Sequence, residues 1–242
     1  MKKAFLLFLV LIITCFTITG CKDSSNNTNN SSNANVGMIR DLSVNLERNY
    51  SVPGSDSNVL EVVSTADEFY QNDLKELISV SDDVIRVTVQ KVTFTSYEGV
   101  AWTKSDVLIT DTFKGDLKIG DVISVFTLGG YIPLSDHIKG HDDAFRFKDL
   151  SAEEIKTTFL KETIDGEKAI EKSEDLILCV VQTPKDSPLP NGAYERVSYS
   201  GQLYAEGNKE FIQMITDSLD ITKKAYSYDE IKEMTEYSKI VK

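Results

Sequence analysis

Cysteine is scarce in this chain, and so is positive charge. Its 242 residues hold 3 cysteines, 2 histidines, and 26 Lys and Arg against 38 Asp and Glu. Cys15 lies inside the N-terminal apolar run, so only Cys21 and Cys179 remain for the rest of the chain. That rules out the disulfide framework that staples small secreted domains, and the fold must stand on its core. A net charge of −12 repels nucleic acid and anionic surfaces, which argues against a nucleic-acid partner. Catalytic signatures are missing too. There is no Gly-x-Ser-x-Gly elbow, no Gly-x-x-x-x-Gly-Lys-Ser/Thr phosphate loop and no His-Glu-x-x-His pair. The apolar run itself is shorter than the about 20 residues that a spanning helix needs.

The N-terminus is more informative. Met1-Lys2-Lys3 precedes "AFLLFLVLIITCFTIT", and no further charge occurs before Lys22. A basic start, a short apolar stretch and a small-residue exit form a secretory signal over residues 1–20. Ile18-Thr19-Gly20-Cys21 resembles the lipobox of bacterial lipoproteins. The resemblance implies a diacylglyceryl group on the Cys21 sulfur and cleavage just before Cys21. Loss of Lys2 and Lys3 with the signal takes the net charge from −12 to −14. Two acyl chains hold a protein to a bilayer where one does not. The expected partner is therefore a membrane, met through Cys21 on the extracytoplasmic face of the cell. The Ser/Asn-rich stretch after Cys21 is too polar to bury a core. Residues 21–57 read as a tether, with an end-to-end distance on the order of 35 Å for a flexible coil.

Residues 58–242 are expected to form one domain, long enough to bury roughly 70% of its unfolded surface. "STADEFYQNDLKELIS" reads as a helix capped by Thr65, with Glu68 as capping-box partner and Phe69, Tyr70, Leu74, Leu77 and Ile78 at helical spacing. "DDVIRVTVQKVTFTS", "WTKSDVLITDTFKGD" and "DVISVFTLGG" alternate in the manner of strands, with Lys114-Gly115-Asp116 and Gly120-Asp121 as turns. Gly129-Gly130 reads as a strand end that needs positive φ. Residues 131–165 are an excursion between strands. Its "SDHIKGHDD" segment reads as a polar loop, and a short helix follows, capped by Ser151 with Glu154. "DLILCVVQT" is nearly all apolar and predicts a central strand covered on both faces. "AYERVSYSGQLYAEGNKEFIQM" reads as a hairpin or a pair of strands with its tip at Glu206-Gly207-Asn208, and the chain ends in a helix capped by Ser227 with Glu230.

Many short strands with few helices predict a mainly β fold with flanking helices, a small OB-like (Greek-key) β-barrel. The order is more particular. A helix precedes "SDDVIRVTV", a strand runs into "FKGD", another closes at the Gly pair, and "DLILCVV", "AYERVSYSGQLY" and a last helix follow. Over residues 79–212 this order resembles the netrin-like branch of the OB-fold, the branch of the tissue inhibitors of metalloproteinases. That family's usual disulfides are absent here. Its inhibitory mechanism, chelation of zinc by a free N-terminal Cys, does not carry over, because Cys21 would be acylated and far from the barrel.

Three candidate sites follow. His137 and His141, with Asp136, Asp142 and Asp143, carry metal-ligand chemistry. Gly140 between the two histidines and the loop reading point instead to a solvated segment, and neither metal nor cofactor is assigned. Tyr194, Tyr199 and Tyr204, with Phe211 beyond, are candidate ligand-facing aromatics, because OB barrels bind on an open strand face. Cys179 lies in the apolar run and reads as a buried small hydrophobe. The expected function is a membrane-anchored, non-catalytic binding or interaction module for an unknown protein or small-molecule ligand. The alternative is a metal-dependent envelope enzyme using His137 and His141.

Overall fold

Strand β7 (Asp175–Gln182) is apolar throughout because it is covered twice. Ile177 and Cys179 point into a core beneath two helices, while Leu176, Leu178 and Val180 point into a second core inside a barrel. In a pleated strand successive side chains face opposite ways, so a run without polar alternation needs cover on both sides.

The computed structural model describes residues 50–64, 72–141, 144–164, 167–185, 187–207, 209–217 and 220–240. The expected signal over residues 1–20, Cys21, the part of the expected tether before Tyr50, the expected Thr65/Glu68 cap with Phe69 and Tyr70, and Asp142 and Asp143 lie outside the described residues. Among the described residues no helix is long and apolar enough to cross a membrane.

The barrel is built from β2 (Asp83–Tyr97), β3 (Val100–Lys114), β4 (Val122–Leu128), β7 and β8 (Tyr194–Arg196). β2, β3 and β4 form an antiparallel meander, β4 pairs in parallel with β8, β8 pairs antiparallel with β7, and β7 returns to β2. This ring is the small OB-like Greek-key barrel expected from the sequence. Ile85, Val87, Val107, Ile109, Val125, Leu176, Leu178 and Val180 fill it. The free half of the β7 edge takes β9 (Gln202–Glu206), and the sheet continues into β10 (Glu210–Asp217) and β11 (Asp220–Ser227). The β9–β10 hairpin turns at the expected tip, but the β10–β11 hairpin was not anticipated.

Helices α1 (Leu74–Val80) and α4 (Tyr228–Ile240) close the second core, where Leu74, Leu77, Ile78 and Ile231 pack on Val84, Ile177, Cys179 and Phe211. The cap of the described helix α1 is Asp73, whose side chain accepts from Lys75 N and Glu76 N. Its carboxylate serves the orphan amides directly. At the other end of α1, the Nζ of Lys114 donates to the carbonyls of Ile78 (2.5 Å), Ser79 (3.1 Å) and Ser81 (2.6 Å). A cation is favoured where a helix leaves its last carbonyls unpaired. Gly115 follows at φ +96, and a Cβ there would strike the Asp83 carboxylate. That carboxylate is occupied with Asp116 N (2.9 Å) and Leu117 N (3.2 Å). The Lys-Gly-Asp turn thus locks a strand end to a helix end. Ser227 and Glu230 exchange the expected capping-box bonds at the start of α4.

Between β4 and β7 the excursion folds on itself. β5 (Gly130–Pro133) and β6 (Thr158–Ile164) pair with β1 (Asn58–Ser64) in a separate sheet of order β1-β6-β5. α2 (Leu134–His141) and α3 (Ala152–Thr157), with a 3₁₀ turn at Ala144–Phe147, cover it through Ile132, Leu134, Phe147 and Leu160. Ser151 and Glu154 cap α3 as expected. The segment expected to be a loop is helix α2. The chain also meets the barrel ahead of β1, because Tyr50 exchanges backbone bonds with Phe94 (2.6 and 2.9 Å) and its hydroxyl donates to Asp136 (2.5 Å).

Candidate functional site

Along β3 the side chains alternate, and Trp102, Lys104 and Asp106 lie on the outside of the ring opposite Leu128, Phe126 and Ser124 of β4. Tyr97 shares this face from the end of β2. Tyr97 and Trp102 are half-buried and pack with Phe126 against Leu189 and Ala193 of the β7–β8 loop. The loop carries Pro184, Pro188 and Pro190 and folds through Thr183, whose amide donates to Ala193 O (3.0 Å). Its apolar attachment to the face is Leu189 and Ala193. The indole N–H of Trp102 is buried, and among the described residues no acceptor serves it. A buried donor left unmade costs about 1–3 kcal/mol. Beside it, Lys104 pairs with Asp106 (3.4 Å), and Asp106 accepts from Ser124 Oγ (2.7 Å). The face is bordered at one end by the two-residue β2–β3 turn, where Glu98 (φ 49) and Gly99 (φ 83) both take the left-handed conformation of a tight hairpin.

The face therefore combines flat aromatic edges, a closely paired Lys/Asp couple and a hydroxyl, between the two loops that border the ligand face of an OB barrel. Sequence reasoning missed Trp102 and Tyr97. The one tryptophan of the chain stands at an outward position of an alternating strand, next to a tight turn, and that signal was available.

The three expected aromatics are placed elsewhere. Tyr194 is half-buried in β8 against the barrel core, and burial, helped by Asp83 and Asp82, raises its pKa. Tyr199 is buried in a 3₁₀ turn (Tyr199–Gly201), with the Arg196 guanidinium 5.2 Å from its ring. Tyr204 receives a hydrogen bond from Gln202 and donates to Lys168 O (2.9 Å), and burial raises its pKa. They do not share one strand face, because the turn at 199–201 moves the chain from β8 to β9. Phe211 is buried under Arg86, which pairs with Asp175.

Tyr199 and Tyr204 instead border a buried ion pair. Arg196 makes a two-pronged contact with the Glu167 carboxylate, and its Nη1 also donates to Gln202 Oε1 (3.0 Å). Burial lowers the proton affinity of the guanidinium, but the charge and hydrogen bonds of Glu167 more than offset this, and the net shift is upward. The pair lines a cavity of about 40 Å³ with Thr103, Thr127 and Gly130, between the barrel and the small sheet. A cavity that size has room for a few waters at most.

Cys179 is fully buried, and burial pushes its thiol up to about 12 against the opposing effects of Ser81 and Lys114. It has no thiolate for chemistry at neutral pH. His137 is buried on α2, and His141 is exposed one turn on. No family model matches the chain, and no curated protein or solved structure matches it either.

Proposed function

We propose that this chain is a non-catalytic binding module, held at the extracytoplasmic face of a membrane through lipid on Cys21, that meets its ligand on the outer face of β3 and β4. The netrin-like branch of the OB-fold remains the family reading for the barrel. One observation carries the binding site: the half-buried Tyr97 and Trp102, backed by buried Phe126, lie between the β2–β3 turn and the β7–β8 loop. OB barrels use that face and those loops for oligonucleotides and oligosaccharides. The net charge of −12 disfavours the polyanion. A neutral oligosaccharide remains: its apolar ring faces stack on Tyr and Trp, and its hydroxyls meet Lys104, Asp106 and Ser124.

Two experiments test the two halves. Membrane fractionation of Cys21→Ala should show an unprocessed or released chain, and a fully processed, anchored variant would refute the lipid attachment. The fluorescence of Trp102, the single tryptophan, reports on the face directly. Titration with an N-acetylglucosamine hexamer should give a saturable change that Tyr97→Ala weakens, while a DNA oligonucleotide gives none. A response to DNA alone, or an oligosaccharide response that Tyr97→Ala leaves intact, would overturn the site.

A further inference from the structure

The segment "SDHIKGH" is helical, and helicity changes what its histidines can do. His137 and His141 are four residues apart on α2, on one face of the helix, and their ring centroids lie 4.6 Å apart at an interplanar angle of 45°. His137 Nδ1 is 3.1 Å from the carbonyl oxygen of Gly99. A carbonyl oxygen only accepts, so Nδ1 carries the proton and Nε2 carries the lone pair of the neutral ring. The Phe147 ring stands nearly perpendicular to the His137 ring, with centroids 6.1 Å apart.

Gly140 is the residue that made a helix look improbable, and it is also what makes this arrangement possible. A Cβ at Gly140 would collide with the backbone of Glu98 and Gly99. A Cβ at Gly99 would lie 2.8 Å from Gly140 Cα and 2.9 Å from His141 Cδ2. The two glycines let α2 seat directly on the β2–β3 turn. His137 thereby reaches the turn carbonyl, and the His141 ring lies beside the same turn.

From this geometry we infer that His137 and His141 form a two-histidine site for a borderline divalent cation, zinc or nickel. Two histidines at i, i+4 on one helix face are a recurring zinc-binding pair, and imidazole suits zinc, copper and nickel over magnesium or calcium. The bond to Gly99 is the outer-sphere contact that metal-ligating histidines ordinarily make: it fixes the tautomer and aims Nε2. Among the described residues no group of three or more His, Cys, Asp and Glu side chains gathers, so the pair supplies two ligands and solvent is open to the rest at exposed His141. A bound ion would bridge two positions one turn apart on α2, beside the β2–β3 turn that His137 already contacts through Gly99 O. The site stands independently of any ligand on that face.

Isothermal titration of the full-length chain with zinc chloride and nickel chloride tests the inference. One ion per chain should bind, thermal stability should rise with metal, and calcium at millimolar excess should not compete. His141→Gln changes an exposed side chain, so the metal-free variant should melt like the wild type while losing more than about tenfold in affinity. His137→Gln should lose as much affinity. Failure of zinc and nickel to bind, competition by calcium, or full affinity in His141→Gln would each overturn the site.

Discussion

Lys114 and Arg196 are both cations withdrawn from water, with 8% of Lys114 and 5% of the Arg196 side chain still exposed. Lys114 donates to three neutral acceptors, the carbonyls at the end of α1. Arg196 meets an opposite charge, the Glu167 carboxylate. The first is tied to a feature every helix has, carbonyls that need donors whatever the neighbouring sequence is. The second depends on two side chains chosen for each other. The first can be lost only from one side, whereas the second can be lost from either side or replaced whole.

The largest effect should come from breaking the charged pair on one side. Glu167→Ala leaves a buried guanidinium without its carboxylate and should lower unfolding stability by about 3–5 kcal/mol in a urea titration. Replacing both partners with apolar residues, Arg196→Met with Glu167→Leu, should restore most of that loss, since a buried ion pair and a hydrophobic pair of similar volume are often equivalent. If the double variant is as unstable as Glu167→Ala, the pair has a further role in the cavity it lines.

Lys114→Met should cost less, about 2 kcal/mol, because the groups left behind are neutral carbonyls. No second substitution can rescue it, because those acceptors belong to the backbone. Hydrogen exchange should localise the damage to the last turn of α1, and exchange spread evenly over the domain would contradict the capping role.

Gly115→Ala follows at about 1–2 kcal/mol, from a positive φ and a Cβ driven into the Asp83 carboxylate. Lys114 can then no longer be presented to α1 unchanged, so the loss in Gly115→Ala combined with Lys114→Met should fall short of the sum of the two. Simple additivity would separate the turn from the cap.

The smallest effect concerns Glu195, on the strand that also carries Arg196. Burial raises its pKa, and the Ser187 hydroxyl opposes the shift. A carboxyl whose folded pKa lies above its unfolded value holds its proton better in the folded chain. Its ionisation therefore weakens the fold at neutral pH, and the penalty fades as pH falls through the folded pKa. Glu195→Gln should raise the unfolding free energy from a urea titration at pH 7 by less than about 0.5 kcal/mol, screened by solvent. The difference should disappear as the wild type protonates, and an advantage that grows on acidification would reverse the sign of the argument.

Much of the barrel was legible because its strands follow local rules. Val84 to Val89, Val107 to Phe113 and Leu176 to Val181 are β-branched or apolar at the period of a pleated sheet, and the turns between them carry Gly and Asp. The capping boxes at Ser151 and Ser227 were legible for the same reason: all the partners lie within one turn. Contacts between distant segments were not. Gly140 reads as a helix breaker in isolation, and only the approach of Gly99, far off in sequence, explains it. Tyr194, Tyr199 and Tyr204 look like one face until the 3₁₀ turn separates them. Trp102 was overlooked because alternation shows that a side chain points outward, but not that it stands beside Phe126 from the next strand. The β10–β11 hairpin was hidden because "ITKKA" of β11, mostly polar, is exposed on the edge that β11 forms.

The attachment of Tyr50 has a mechanical consequence. A pull on the chain at Tyr50 loads its two backbone bonds to Phe94 and its side-chain bond to Asp136. Phe94 belongs to β2 and Asp136 to α2, so tension divides between the barrel and the excursion. Behind this lies β1, zipped in parallel to β6 over Asn58 to Ser64, a geometry in which force along the strand must shear several hydrogen bonds together. Tyr50 is thus the fuse ahead of a stronger clamp. Under tension it yields first and frees the run of residues between it and β1, while the barrel stays intact.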